Sequence, residues 1–389
     1  MLIVADPEIY GVAEAFGNLG ALRLRAGRTW DKNAVADADV VLVRSTTRID
    51  RDLIEGTRVG FVGSATSGVD HVDQAYLASR RIAFASAAGS NAGAVADYVI
   101  SAVLAWSEQR GRSLKGLRAG VIGCGRIGSR VVHRLAALGL ECLEHDPPLS
   151  EADGCMRYRT LEETLQADIV TLHAPLTREG RHATWALLNA QRLRLLSQDA
   201  LLINTARGGI VDEKALTRWL QQHPEGGAVV DCWQDEPFID EHLLRQVSLG
   251  TAHIAGYTED AKRAATEMLF QAVCAHLNVQ ARSVRSRTVG ASAPPAIEIG
   301  SDVDDSQALR AAVFRCYDVR ADAHALRAFS GQPSAQRAKA FDDLRAEYRP
   351  RREFSAYRVR LDKNRTDLGR MLSGLDFQVL DRNEAQKKT

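Results

Sequence analysis

Short runs of apolar and β-branched residues alternate with helical patterns along the first 280 residues of the chain. The strand-like runs include LIVAD at 2–6, ADVVLVRS at 38–45 and RAGVI at 118–122. Strands that alternate with helices in this way form parallel sheets, because each crossover helix packs back on the sheet. A long apolar pattern from about residue 94 to 107 separates two such series. The sequence therefore predicts two doubly wound parallel-sheet domains, each of the Rossmann or flavodoxin-like type.

The same patterns predict how the chain divides into domains. Residues 1–92 form the first domain, and a helical stretch at 257–285 returns to it, which makes it discontinuous. Residues 93–256 form the second. A basic, proline-terminated linker at 281–295 follows. A small C-terminal α+β domain is assigned to 286–389, a range that includes the second part of this linker. Because a segment of ~90 residues is small for a free-standing domain, we expect it to form a homodimer.

The composition excludes several classes of partner. Lys and Arg number 50 against 49 Asp and Glu, so the net charge of +1 indicates neither nucleic acid nor a membrane surface. No run approaches the ~20 apolar residues that span a bilayer, and MLIVADPEIY lacks the features of a secretory signal. The six cysteines are far apart, which argues against a zinc site and a disulfide framework. We therefore expect a cytoplasmic protein without a bound metal.

The segment GCGRIG follows a strand-like run and opens a helical pattern, as the loop of a dinucleotide-binding unit does. The residues predicted to contact the cofactor there are Gly123, Gly125, Arg126, Ile127 and Gly128. The glycines allow a tight turn, a close approach of the pyrophosphate and close helix–strand packing, and the helix N-terminus attracts the phosphates. Asp146 ends the next strand-like run, where a carboxylate accepts hydrogen bonds from the adenine ribose and repels a 2′-phosphate. The motif predicts NAD rather than NADP as the cofactor.

Residues able to do chemistry follow three later strand-like runs. Arg207 follows the first, Asp231 and Glu236 the second, and His253 the third. In an open α/β sheet, ligands bind beyond the carboxyl ends of the strands, so these side chains are expected to converge. Any one of them alone could be a paired surface charge or a structural group. Together, on one dinucleotide-binding unit, they indicate an enzyme.

Five motifs in this order resemble those of the D-isomer-specific 2-hydroxyacid dehydrogenases. They are GCGRIG, HAPLT (173–177), NTARGGIVDE (204–213), DCWQDEP (231–237) and TAHIAGYT (251–258). The resemblance covers residues 1 to about 280. It implies an NAD-dependent oxidoreductase that transfers a hydride from C2 of a 2-hydroxy acid.

The resemblance also implies a role for each residue of the set. Arg207 would hold the substrate carboxylate or polarise its C2 carbonyl, His253 would be the acid/base, and Glu236 would bind the far nitrogen of that imidazole. Further cofactor contacts would come from Ala174, Ala206, Asp231 and Gly256. Ala174 departs from the family, whose members often have a hydroxyl residue there. Asp231 could instead bond only the nearby backbone.

Within the family, VRSTTRID (43–50), FVGSATSGVDHVD (61–73) and the C-terminal CYDVR and PRREFSAYRV resemble a branch that acts on a small phosphorylated 2-hydroxy acid. This implies substrate contacts from Ser45, Thr66 and Tyr257. For the phosphate we predict Arg44 and Arg48, with Arg351 or Arg352 of the partner subunit. Two alternatives stay open. One is a dehydrogenase of another 2-hydroxy acid such as 3-phosphoglycerate, and the other is an NAD-sensing scaffold of the same fold.

Overall fold

The computed structural model describes residues 1–154, 156–280, 294–300, 302–362 and 364–381. Most of the expected linker, and with it the expected boundary at 285/286, lies outside these residues. In chain order, the strands are β1 (Leu2–Ala5), β2 (Ala21–Leu24), β3 (Val40–Val43), β4 (Phe61–Ser64), β5 (Ala83–Ser86), β6 (Arg118–Ile122), β7 (Glu141–His145), β8 (Ile169–Leu172), β9 (Leu201–Asn204), β10 (Gly227–Val230), β11 (Leu249–Gly250), β12 (Ile297–Glu298), β13 (Arg358–Leu361) and β14 (Gln378–Asp381).

The helices accompany these strands along the whole described chain. They are α1 (Val12–Phe16), α2 (Lys32–Val35), α3 (Arg51–Ile54), α4 (Gln74–Ser79), α5 (Ala92–Arg110), α6 (Gly128–Ala137), α7 (Pro147–Asp153), α8 (Leu161–Leu165), α9 (Ala190–Leu193), α10 (Glu213–Gln222), α11 (Glu241–Gln246), α12 (Glu259–His276), α13 (Asp305–Cys316), α14 (Val319–Arg327), α15 (Ser334–Ala346) and α16 (Thr366–Gly374). Two short 3₁₀ segments occupy Gly27–Thr29 and Phe354–Ala356.

The chain divides into two compact units. Unit 1 contains Met1–Asn91 and a second stretch that begins at Thr258. Unit 2 contains Ala92–Tyr257 and the described residues of the C-terminal segment. The C-terminal segment has its own sheet and groups with unit 2, and the predicted domain bounds stay a prediction.

Unit 1 is built on one parallel sheet in the order β2-β1-β3-β4-β5, which is the flavodoxin-like order. Its central strands read as continuous apolar runs, such as VVLV in β3, because helices cover both faces of a doubly wound sheet. Thr258 caps the N-terminus of helix α12, and its hydroxyl accepts the N–H of Ala261 at 3.0 Å. Its apolar residues Leu269 and Val273 are fully buried in the unit 1 core.

Unit 2 contains a parallel sheet in the order β11-β10-β9-β8-β6-β7. A single parallel bridge between Glu144 and Tyr158 extends this sheet beyond β7. If the bridge is taken as a shortened strand, the strand order is that of the Rossmann fold. Helix α5 is buried over nearly its whole length, which explains why its sequence is apolar on all sides. The two sheets confirm the prediction of two doubly wound parallel-sheet units.

The C-terminal segment folds as a parallel sheet, β12-β13-β14, with helices α13 to α16. The buried Arg134 of α6 joins it to the rest of unit 2. This guanidinium donates to the carboxylate of Asp97 on α5 and, at 2.9 Å, to that of Asp376 before β14. The Phe354 and Phe377 rings stack beside it with centroids 4.8 Å apart. The prediction of a small C-terminal α+β element is confirmed.

Two sequence-based element boundaries differ from the structure. The pattern SQALRAAVFRCYDV at 306–319 predicts a single helix, but the chain breaks at Tyr317, and Asp318 caps a separate helix α14. The run VSLGTAHIAG at 247–256 predicts a longer strand, but only Leu249–Gly250 pairs with its neighbour. In the described part of the chain, no helix combines the length and hydrophobicity that a membrane span requires.

Candidate active site

The glycine loop connects β6 to α6, and each glycine has a separate structural reason. Gly123 has φ of 87°, a left-handed conformation that favours glycine, and a Cβ there would lie 2.5 Å from the backbone nitrogen of Ala174. A Cβ on Gly128 would lie 1.9 Å from the carbonyl oxygen of Gly123. On Gly125, by contrast, it would meet no described atom within 4 Å. The loop is therefore tightly packed on two sides and open at Gly125, which is the shape that a pyrophosphate requires.

The other loop residues and Asp146 border this opening. Arg126 is exposed and Ile127 half-buried at the start of α6. Asp146 follows β7, and its Oδ2 accepts the N–H of Cys124 at 2.8 Å while Oδ1 caps α7 at Leu149. The carboxylate is thus oriented by the glycine loop itself. Half-buried at the end of the neighbouring strand, it fits the ribose-binding position of a dinucleotide site.

His253 and Glu236 form a hydrogen-bonded pair at the carboxyl edge of the unit 2 sheet. The Nδ1 atom of His253 lies 2.8 Å from Oε2 of Glu236 and 3.1 Å from Oε1. Oε1 also accepts the N–H of Trp233 at 2.8 Å, which orients the carboxylate. Because Nδ1 is engaged, Nε2 is the nitrogen that can exchange a proton with a bound molecule. This is the contact that the sequence predicts between these two residues.

The electrostatics of the pair favour a charged imidazolium beside a carboxylate. Burial lowers the pKa of His253, but the charge and hydrogen bond of Glu236 raise it, and the resulting pKa is well above the ordinary value. Burial raises the pKa of Glu236, but the charge and hydrogen bond of His253, with the Trp233 N–H and the charge of Arg345, bring it below its ordinary value. The histidine is therefore a ready proton donor and becomes a base only at higher pH.

Asp231 holds the backbone that carries His253. Its Oδ1 accepts from the Thr251 hydroxyl at 2.6 Å and from the Ile254 N–H at 2.8 Å, and its Oδ2 accepts the Ala255 N–H at 3.0 Å. These bonds replace strand pairing after Gly250 and fix His253 with φ of 54°. They explain why the predicted strand stops early. A contact of Asp231 with the cofactor stays a prediction.

Glu213 supports the same loop and was missed by sequence reasoning. It is 8% exposed, and its Oε1 accepts the N–H of Gln234 at 2.6 Å. Burial raises the pKa of Glu213 to about 7, although the bond from Gln234 opposes this. The signal in the sequence was weak, because an acidic residue in the first turn of a helix is commonplace.

Arg207, Ala206 and Ala174 lie after neighbouring strands of the unit 2 sheet. Arg207 follows β9, is half-buried, and donates from a terminal nitrogen to the Ala206 carbonyl at 2.7 Å. Ala206 is buried, and Ala174 follows β8. Beside Ala174, His173 lies 2.9 Å from the Thr171 hydroxyl and 3.3 Å from that of Thr205. Burial lowers the pKa of His173 to about 3, so this second histidine stays neutral.

Gly256 and Tyr257 continue the loop beyond His253, and both are half-buried. The Tyr257 hydroxyl accepts a hydrogen bond of 3.2 Å from Arg345 on α15. The sequence did not single out Arg345, because nothing in its local pattern distinguishes it from other helical arginines. Only the folding of the C-terminal segment onto unit 2 brings it there.

The predicted substrate residues of unit 1 lie at the carboxyl ends of β3 and β4, which are paired neighbours. Ser45 is exposed, and Thr66 Oγ1 lies 2.8 Å from Ser64 Oγ. Arg48 bonds Asp50 at 3.0 Å with 83% of its side chain exposed. Arg44 is half-buried, 4.0 Å from Glu8. Roles for these residues in substrate binding stay predictions.

Arg351 differs from what the sequence predicted. It is 4% exposed, donates to the carbonyls of Ala94 and Ala255, and packs over the Tyr317 ring at 4.2 Å. A side chain enclosed in this way cannot reach a second subunit, so the prediction is wrong for Arg351. Arg352 is half-buried, and its role stays a prediction.

Cys232, Glu236 and His253 also bring one potential metal-ligand atom each within 4.8 Å of one another. The spacing of the cysteines along the chain did not predict this group. The hydrogen bond between His253 and Glu236 already gives both side chains a partner. Burial raises the pKa of Cys232, although His253 opposes this, so the residue is a thiol beside the imidazole.

Sequence comparisons find relatives that match 97% of this chain. Residues 87–255 match the model of the D-isomer specific 2-hydroxyacid dehydrogenase NAD binding domain, and residues 291–374 match a domain of unknown function. The erythronate-4-phosphate dehydrogenase of Marinobacter nauticus is 40% identical over 97% of this chain and 100% of its own length. That of Hahella chejuensis is 41% identical over 97% of this chain and 99% of its own.

Solved structures share the two doubly wound units. D-lactate dehydrogenase from Aquifex aeolicus, complexed with NAD and lactic acid, has a TM-score of 0.60 and 26% identity, covering 72% of this chain and 96% of its own. The NAD⁺-bound 3-phosphoglycerate dehydrogenase of Entamoeba histolytica has a TM-score of 0.62 and 23% identity, covering 72% and 95%. More than a quarter of this chain therefore has no counterpart in them.

Proposed function

This chain belongs to the D-isomer specific 2-hydroxyacid dehydrogenase family, within its erythronate-4-phosphate dehydrogenase branch, and from that membership we propose its reaction. It oxidises 4-phospho-D-erythronate at C2 to (R)-3-hydroxy-2-oxo-4-phosphooxybutanoate, a step of pyridoxal 5′-phosphate biosynthesis, with NAD as the cofactor. The observation that supports this most directly is the His253–Glu236 pair at the edge of the sheet that also carries the glycine loop.

The glycine loop and Asp146 fit the cofactor. Gly125 leaves the space that the pyrophosphate needs, and Asp146 would bind the adenine ribose. NAD, when bound, accepts the hydride of C2. Ala174, Ala206, Asp231 and Gly256 would line its nicotinamide half, as the family resemblance implies.

Side chains of the protein would bind the substrate and transfer its proton. The planar fork of Arg207 would bind the carboxylate at C1 with paired hydrogen bonds, a geometry that lysine cannot reproduce. Neutral His253 would take the C2 hydroxyl proton on Nε2, and the carboxylate of Glu236 would stabilise the imidazolium that results. Ser45, Thr66 and Tyr257 would contact the substrate, as the family resemblance implies, and Arg44 and Arg48 would bind its phosphate.

A screen for NADH formation tests the proposal. The panel contains 4-phospho-D-erythronate, D-erythronate, 3-phospho-D-glycerate and D-lactate, each with NAD and with NADP. We expect the highest kcat/KM with 4-phospho-D-erythronate and NAD. A higher value with 3-phospho-D-glycerate would favour the alternative dehydrogenase, and no activity with any 2-hydroxy acid would favour the NAD-sensing scaffold.

We also propose that the protein is a cytoplasmic homodimer that associates through its C-terminal segment. The small size of that segment supports this, because small segments commonly gain stability by association. Light scattering of the purified full chain measures its mass in solution. A mass near the 42.5 kDa of one chain at micromolar concentration would contradict the dimer.

A further inference from the structure

Arg345 has the features of an anion-binding side chain whose anion is not part of the chain. It lies in the last turn of α15 and is half-buried. Its Nε is fully buried and has no hydrogen-bond partner among the described residues, and a terminal nitrogen donates to the Tyr257 hydroxyl at 3.2 Å. Within the described chain, no carboxylate lies at ion-pair distance from this guanidinium. Burying an arginine without a counter-ion is costly unless a ligand supplies the charge.

Three other cations on or next to α15 are paired with carboxylates, in contrast to Arg345, whereas the buried Arg351 donates to backbone carbonyls instead. Arg337, two turns earlier on α15, lies 2.9 Å from Glu241. Arg349 is bonded to the buried carboxylate of Asp322. Lys339, also on α15, lies 2.5 Å from Asp343. The absence of an acidic partner is therefore not a general property of this helix.

The position of Arg345 connects it to the candidate active site. Tyr257, the hydrogen-bond partner of Arg345, lies four residues after His253 in the sequence. All three residues belong to unit 2. The charge of Arg345 also acts on Glu236, the partner of His253. In 4-phospho-D-erythronate, the phosphate is attached two carbon atoms beyond C2. A substrate whose C2 hydroxyl meets His253 thus carries its phosphate close to that hydroxyl.

We propose that Arg345, with the Tyr257 hydroxyl, binds the terminal phosphate of the substrate, which makes this arginine of the C-terminal segment a determinant of specificity for phosphorylated 2-hydroxy acids. The proposal rests on the proposed function for the identity of the substrate. It also gives the stretch matched by a domain of unknown function, residues 291–374, a part in substrate recognition. A guanidinium and a phenol offer several donors to a phosphate dianion, and the guanidinium adds the opposite charge.

The decisive measurement is the ratio of kcat/KM for 4-phospho-D-erythronate to that for D-erythronate. We expect Arg345→Met to lower this ratio roughly 10- to 100-fold, the effect of losing a charge-assisted hydrogen bond. A loss that arises from the missing charge near Glu236 affects both substrates and therefore cancels in the ratio. Arg345→Lys, which keeps the charge but not the fork, should recover part of the ratio. Lys339→Met is the matched control, because it removes one exposed positive charge from the same helix.

A binding measurement separates the failure of this proposal from the failure of the proposed function. With NAD at saturation to occupy the glycine loop, inorganic phosphate should raise the Tm of the wild type and of Lys339→Met above that in chloride of equal ionic strength. The rise should be smaller in Arg345→Met. If the wild type oxidises neither erythronate, the proposed function fails, and this Tm measurement decides the phosphate site alone.

Two outcomes would overturn the phosphate site. One is an unchanged substrate ratio in a folded, active Arg345→Met variant. The other is a Tm rise with phosphate that is equal in all three proteins. If Arg345→Met does not fold, Arg345→Gln, which keeps a polar end, takes its place in both measurements.

Discussion

At the scale of single residues, the side chains around His253 determine its proton affinity. Glu236 accepts from Nδ1, Asp231 fixes the backbone on both sides of the ring, and the Cys232 thiol lies beside it. The result is an imidazole whose orientation and charge are both controlled. This arrangement explains how a histidine with φ of 54°, a conformation uncommon for it, is held in place.

Replacing His253 removes the acid/base group. We expect His253→Ala to lower kcat about 10²- to 10⁴-fold, the usual contribution of such a group, with little change in Tm. Steady-state kinetics with 4-phospho-D-erythronate and NAD measure the loss. His242→Ala, which removes an exposed histidine of α11, serves as the control. Near-full activity in His253→Ala would refute the assignment.

Replacing Glu236 shifts the pH profile. The carboxylate raises the pKa of His253, so Glu236→Gln should lower that pKa. Oxidation needs the neutral imidazole and therefore increases as pH rises through the pKa of His253. The acid limb of kcat/KM should move to lower pH in the variant, while the maximum falls because the imidazolium loses its partner. An acid limb at the same pH in both proteins would show that Glu236 does not set this pKa.

At the scale of elements, the segment between β10 and α11 is held by buried polar groups rather than by regular structure. Glu213 at the start of α10 accepts the N–H of Gln234, and Trp233 Nε1 donates to the Thr251 carbonyl at 2.8 Å. These contacts position Glu236 from one side while Asp231 positions His253 from the other. The pair therefore depends on two segments that are supported separately.

Glu213 should make stability depend on pH. Its folded-state pKa is raised to about 7 from an ordinary 4.5, so ionisation destabilises the fold as pH rises through this window. A raised pKa of this size corresponds to roughly 3 kcal/mol in all, of which about 2–3 kcal/mol develops between pH 5 and pH 8. In Glu213→Gln, the unfolding free energy relative to wild type should increase by about that amount between pH 5 and pH 8, measured by urea denaturation. The exposed Glu162→Gln should show no such trend, and an equal trend in both variants would contradict this role for Glu213.

At the scale of the whole molecule, the C-terminal segment belongs to unit 2 through buried side chains. Arg134 lies between Asp97 and Asp376, which are far apart in sequence, and the N–H of Phe354 donates to Asp97 at 3.0 Å. Burial raises the pKa of Asp97 to about 7, although Arg134 opposes this. An aspartate in this position is tolerated because the arginine and the backbone satisfy its oxygens.

Replacing Arg134 tests how much the buried Arg134–Asp97 ion pair contributes to the stability of the fold. Arg134→Met leaves Asp97 buried without its cation, and we expect a loss of about 3–5 kcal/mol in unfolding free energy. The double variant Asp97→Asn with Arg134→Met should recover much of it, because no buried charge remains. Arg130→Met, at an exposed arginine that also pairs with Asp376, should cost less than about 1 kcal/mol. Equal losses of unfolding free energy in the Arg134 and Arg130 variants would mean that the buried ion pair stabilises the fold no more than the exposed one.

The hydrogen bond between Glu236 and His253 was implied by the resemblance to the family. The sequence patterns by themselves determined the parallel α/β class, the glycine loop and the convergence of these two residues at one edge of the sheet. Each of these depends on local spacing, because strand ends in one parallel sheet meet at one edge whatever the rest of the chain does. Tertiary structure alone decided that Asp231 is used by the backbone, that Arg351 is enclosed, and that Arg345 reaches Tyr257. Those outcomes depend on contacts between residues tens to hundreds of positions apart, which no local pattern encodes.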